Sequence, residues 1–103
     1  MYFIAFYAPP ADVEPIKQAM FAAGAGRIGD YAACAWQTLG TGQFMPLPAA
    51  TPFIGTPNTL ETVTECRVEM VCEEAYIEAA VHALRTTHPY ETVAFQVIRL
   101  ESF

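Results

Sequence analysis

The chain has 103 residues, 53% of them hydrophobic and only 16% charged, with a formal net charge of −6. A single domain, residues 1–103, accounts for that length and buries roughly 65% of its unfolded surface on folding. The five basic residues (Lys17, Arg27, Arg67, Arg85, Arg99) are scattered, so nucleic acid and anionic membranes are excluded as expected partners.

No apolar run reaches the roughly 18 residues of a membrane span. The start, MYFIAFYAPP, lacks a basic n-region and a small-residue cleavage site, so no signal peptide is expected. Three cysteines (Cys34, Cys66, Cys72) without a CxxC spacing suit free thiols, which makes a cytoplasmic location the expectation. The charged share lies well below the usual value of about 25%. The surplus apolar surface is expected to be buried between subunits.

Tyr2 to Ala8 reads as a strand that is apolar on both faces. Pro9 and Pro10 end it. Asp12 is the expected N-cap of a first helix, with Glu14 in its first turn. Val13, Ile16, Met20 and Ala23 recur at helical spacing, and Gly24 closes the helix as a C′ residue. A second strand is expected from Ala33 to Leu39. Gly40 and Gly42 then open a proline-rich excursion that runs to Pro57. A structureless loop of that length is usually functional or ordered by a partner. Glu61 to Cys72 alternates strictly, with Glu65, Arg67 and Glu69 on one face and Cys66, Val68, Met70 and Cys72 on the other. Glu73 and Glu74 begin a second helix whose Ile77, Ala80, Val81 and Leu84 face the core. It ends near Thr86, before Pro89. Val93 to Leu100 is the last strand.

Strand, helix, strand, strand, helix, strand predicts an α+β fold. It is a ferredoxin-like βαββαβ sandwich, an antiparallel four-stranded sheet with two helices on one face. The first strand is apolar on both faces, and the helices can cover only one of them.

Gly24-x-Gly26-x-x-Gly29 matches a dinucleotide-binding fingerprint in letters and contradicts it in context, because a helix precedes it and a strand follows. It reads as a helix cap and turn; the alternative is an anion-binding nest beside Arg27. His88-Pro89-Tyr90-Glu91 reads either as a fixed turn or as a ligand or metal site built on His88 and Glu91, short of the ligands a closed zinc site needs. His82 reads as a surface or interface residue. Glu65, Arg67 and Glu69 form a charge ladder, or a carboxylate pair flanking an arginine at a cleft. Cys34 and Cys66 become neighbours if their strands pair.

Ala23 to Leu47 followed by Pro52 to Gly55, together with Glu65-Cys-Arg67-Val-Glu69 and His88-Pro-Tyr-Glu91, resembles the PII-like domain of YqfO-type proteins. That domain is inserted in some Nif-three-like superfamily members and also occurs alone. The HPYE turn by itself also resembles the CutA family, which shares the fold. The resemblance implies a PII/CutA-like homotrimer, sheets inward, with ligand or metal clefts between subunits. The metal-binding catalytic portion of the longer proteins is not expected in so short a chain.

These readings converge on a non-enzymatic homotrimeric binding or regulatory module whose partners are itself and a small ligand or another protein. Its candidate ligand-binding residues are Arg27, Gly40, Gly42, Phe44, Glu65, Arg67, Glu69, His88, Tyr90 and Glu91. The glycine-rich excursion is expected to meet the HPYE turn at an inter-subunit cleft, filled by a ligand or by Phe44 and Phe53. Two alternatives stand beside it. One is a divalent-metal protein using His88 and Glu91. The other is a small hydrolase using Glu65 or Glu69.

Overall fold

A computed structural model describes all residues, 1–103. Its elements are β1 (Tyr2–Ala8), α1 (Pro10–Ala22), β2 (Trp36–Phe44), β3 (Glu61–Cys72), α2 (Ile77–Thr87) and β4 (Phe95–Arg99), with a 3-10 turn at Glu74–Tyr76 before α2. The sheet order is β2-β3-β1-β4 and every neighbouring pair is antiparallel. This is the expected ferredoxin-like βαββαβ arrangement.

The core follows from strand alternation. Ile4, Phe6 and Ala8 of β1 stand opposite Met70, Val68 and Cys66 of β3, and all six are buried beneath the helices. Val13, Ile16 and Met20 of α1 and Ala80 and Leu84 of α2 close the layer. Phe95 packs on it from β4. Val81 was expected in the core and is only half-buried, on the wall of a shallow surface groove beside the exposed His82.

The α1 start differs from expectation. The N-cap is Pro9, without a side-chain bond, and Asp12 lies inside the first turn. Pro10 at the first helical position brings a preset φ and lacks an N–H that would be unpaired there anyway. Gly24 does terminate the helix, at φ +111°, and a Cβ there would sit 2.6 Å from Cγ of Tyr76. Both constraints demand glycine.

β2 is displaced from the expected 33–39. Gly40 and Gly42 pair with Glu65 and Val63 inside the strand, so they do not open the excursion. The long connection is therefore shorter than the sequence suggests, running from residue 45 to 60. The register also corrects a cysteine expectation. Leu39, not Cys34, stands opposite Cys66, and all three thiols are free. β4 is shorter than read from sequence, although Val93 still packs against the core.

The sheet face away from the helices carries Phe3, Ala5 and Tyr7, opposite Val71, Glu69 and Arg67. Ile98 stands beside Phe3, and Trp36 stands opposite Glu69. Trp36 is 61% exposed and Ile98 54%. No helix is long and apolar enough to cross a membrane.

Candidate functional site

The residues 45–60 fold back over one end of the sheet and meet the turn after α2. Asn58 N–H donates to the Pro46 carbonyl at 2.6 Å, which draws the two ends of the loop together. Thr51 reaches further and donates twice to the Glu91 carboxylate, from its backbone N–H and from its hydroxyl, both at 3.0 Å. Phe53 lies with its ring centroid 6.2 Å from that of Tyr90. Between loop and turn is a cavity of about 560 Å³, lined by fifteen residues, nine of them hydrophobic. That volume lies within the usual range for small-ligand pockets.

Tyr90 is held from two sides. Its ring packs 4.7 Å from the His88 ring, centroid to centroid, and its hydroxyl donates to Glu65 Oε2 at 3.4 Å. Burial, then the Glu65 charge and hydrogen bond, then the Asp12 charge, push its phenol up to about 12. Each of these favours the neutral hydroxyl over a phenolate.

Glu65 reaches this position because β2 has no side chain there. A Cβ on Gly42 would fall 1.9 Å from Glu65 Oε1. Glycine inside a strand marks a close approach of this kind. Gly42, Glu65, Tyr90 and His88 thus form one chain of contacts within a single subunit, so the expected meeting of the glycine strand with the HPYE turn occurs without a neighbour.

His88 is buried, and both ring nitrogens are engaged. The Tyr90 N–H donates to Nδ1 at 3.1 Å, which places the ring proton on Nε2, facing the Tyr7 carbonyl at 2.7 Å. The imidazole therefore ties the turn to the end of β1. A metal ion at His88 would have to displace one of these bonds, and Glu91 is already committed to Thr51. No group of three or more His, Cys, Asp or Glu suits a metal ion.

Of the expected site residues, Phe44, Glu65, Tyr90 and Glu91 line the cavity, and Gly42 and His88 support it from behind. Gly40 lies on the same strand face, with open space around it. Arg67 turns away along the open sheet face, donating to the Tyr7 hydroxyl at 3.4 Å and approaching Glu69 at 3.7 Å. Glu69 faces Trp36 across the strands. Four residues along a strand separate Glu65 and Glu69 by about 13 Å, so the suggested carboxylate pair does not share the cleft. Arg27 is also outside it. Gly26 N–H bonds to the Val71 carbonyl, at the end of β3 remote from Glu65. The glycine block at 24–29 is a turn at the opposite end of the sheet. Tyr7, Gln43 and Thr51 were not anticipated. Only the pairing register and the fold-back of the loop place them here.

The fold is that of a small α+β module of the CutA/PII-like kind, and solved structures share it. No family model matches the chain. A GTP cyclohydrolase 1 type 2 homolog of Mycobacterium leprae (strain TN) is 44% identical over 94 residues, covering 91% of this chain and 24% of that protein. The protein of the same name from Bacillus subtilis (strain 168) is 41% identical over 98 residues, 95% of this chain and 26% of that protein. A Bacillus cereus protein related to NIF3 superposes with a TM-score of 0.84 at 32% identity, over 98% of this chain and 26% of its own. CutA of Archaeoglobus fulgidus, a periplasmic divalent cation tolerance protein, matches with a TM-score of 0.69 at 18% identity, over 100% of this chain and 87% of its own. That last likeness shows the fold alone. The chain is a homologue of the YqfO-type segment of NIF3-related proteins, and it spans about a quarter of the length of the curated relatives it matches.

Proposed function

We propose that the chain is a non-enzymatic, self-associating binding module, a homotrimer whose clefts take a small ligand. The observation that carries the ligand reading is the cavity closed by the Thr51–Glu91 bonds and the Phe53–Tyr90 contact. Self-association is supported by the open sheet face, where Phe3, Val71, Trp36 and Ile98 have no covering layer. An apolar patch of this kind on a small domain marks an interaction surface.

A non-enzymatic role fits the cleft chemistry. Its two hydroxyl–carboxylate pairs, Tyr90 with Glu65 and Thr51 with Glu91, hold the turn and the loop in place. The relatives' name concerns proteins of which this chain spans only about a quarter. Nor does the cleft suit a nucleotide triphosphate, since no Lys, Arg or His lines it. The divalent-cation reading at His88 and Glu91 has weaker support, because both side chains already serve the turn. Titration of zinc into His88→Ala and the parent discards it if the affinities agree.

Analytical ultracentrifugation of the chain at micromolar concentration, combined with a fragment screen by NMR, tests the main reading. A sedimenting mass three times the 11.3 kDa of the chain, with fragments shifting Phe44 and Tyr90, is expected. A stable monomer would remove the trimer, and a screen without cleft binders would remove the ligand site.

A further inference from the structure

The charge of the cleft restricts what enters it. Its only ionisable side chains besides the tyrosines are Glu65 and Glu91, and the net charge of the chain is −6. Glu91 is occupied by two Thr51 donors. Glu65 has the Tyr90 hydroxyl at 3.4 Å and no ion pair. The three salt bridges of the molecule join other carboxylates: Glu14 to Lys17, Glu69 to Arg67 and Glu74 to Arg99. Glu65 is therefore a half-buried carboxylate facing an apolar cavity without a counter-ion.

The walls add a second, independent observation. Tyr7, Phe44, Phe53 and Tyr90 contribute four aromatic rings to the cavity. The negative face of an aromatic ring attracts a cation within about 6 Å of its centroid. Tyr7 already does so outside the cavity, where the Arg67 guanidinium lies 5.8 Å from its ring centroid. A hard metal ion does not fit this setting, because it needs about six oxygen ligands and Glu65 offers the only uncommitted carboxylate.

Resting on the small-ligand reading above, we propose that the cleft binds an organic ammonium ion with an apolar body. Its charged nitrogen is paired with Glu65, and its body lies against Phe44, Phe53 and Tyr90. Anionic ligands are repelled by the same carboxylates.

Three probes with one body and different heads test this on the full chain: 4-phenylbutylamine, 4-phenylbutan-1-ol and 4-phenylbutyrate, titrated by two-dimensional NMR. The amine is expected to bind about tenfold more tightly than the alcohol, as a charge-assisted bond implies, and the carboxylate more weakly than either. Glu65→Gln should bring the amine to the level of the alcohol. Phe53→Ala should weaken the amine and the alcohol alike, and the dispersion of each spectrum reports whether the variant is folded. Equal affinities for amine and alcohol, or a preference for the carboxylate, overturn the ammonium assignment and leave the ligand cleft standing. Amine affinity retained in Glu65→Gln also overturns it. The absence of cleft shifts with all three probes overturns the cleft reading and the assignment together.

Discussion

Tyr90 carries two kinds of information at once. Its ring is part of the packing of the turn, and its hydroxyl is part of the polarity of the cleft. Its phenol is pushed from 10.0 up to about 12, by burial first and then by Glu65. Below pH 10 the folded and unfolded chains both hold this proton. Between pH 10 and about 12 the unfolded chain releases it and the folded chain keeps it, so stability falls as pH rises through that window. Urea titrations across that range should show this loss, and Tyr90→Phe should lack its share of it. The cysteines give a second test at the same scale. Burial first, then the Glu73 charge, hold the Cys72 thiol above its usual value, while Cys34 is partly exposed. A maleimide reagent is expected to label Cys34 first and Cys72 only on unfolding, and mass spectrometry of the early product decides. His88 was legible as a special residue from its place before Pro89. Its job as a brace between the Tyr7 carbonyl and the Tyr90 amide was not, because strand β1 lies 81 residues away in sequence.

Among the elements, β2 shows how a correct pattern can be cut short. The alternation that begins at Trp36 continues through Thr38, Gly40, Gly42 and Phe44 on one face. Glycine weakens a strand by itself, so its two occurrences read as an ending. Gly42 is retained because Glu65 folds across it. Gly42→Ala must push the Glu65 carboxylate aside, which is possible because that carboxylate ends a flexible side chain. The expected result is a small loss of stability, roughly 1 kcal/mol on the scale of one off-rotamer side chain, with the Tyr90 phenol titrating at lower pH. An unchanged Tyr90 titration would show that the Glu65 bond is not what Gly42 provides for.

The loop from 45 to 60 is held by groups exposed to solvent, so its latch is a modest one. Removing the Glu91 carboxylate should cost less than about 1 kcal/mol of global stability, as for other exposed charged contacts. Its effect should appear locally instead. Amide exchange at Thr51 is expected to rise severalfold in Glu91→Gln, with protection in α1 and α2 unchanged.

On the scale of the whole molecule, shape and composition point the same way. The chain measures 46 by 25 by 24 Å, with a radius of gyration of 14.5 Å. A compact chain of this length would have about 13 Å. The excess fits an extended β2, where every residue but Gly42 and Phe44 is exposed. Such a strand, with Leu39 66% exposed, is poorly suited to a solvated monomer. Trp36→Asp on the open face is expected to lower the sedimenting mass while leaving the circular dichroism unchanged. A core change acts differently. Leu84→Ala, at a fully buried position, should cost about 2–5 kcal/mol and unfold the chain without a prior change in assembly.

Strand and helix order, the alternation of β3, the Gly24 cap and the family resemblance were all determined by the sequence, because each rests on local periodicity or on neighbouring residues. The order strand, helix, strand, strand, helix, strand sufficed for the fold. The cleft was another matter. Glu65 and Tyr90 were both singled out, yet nothing local distinguished Glu65 from Glu69 or placed Arg27 at the far end of the sheet. Glu65 and Glu69 share a face, so what separates them is position along β3: the loop and the HPYE turn fold over the end that carries Glu65, and the turn with Arg27 meets the other end. Tyr7, Thr51 and Gln43 join the cleft only through contacts that close across the chain. Tertiary structure therefore decided which carboxylate faces the cavity, and why it does so without a cation.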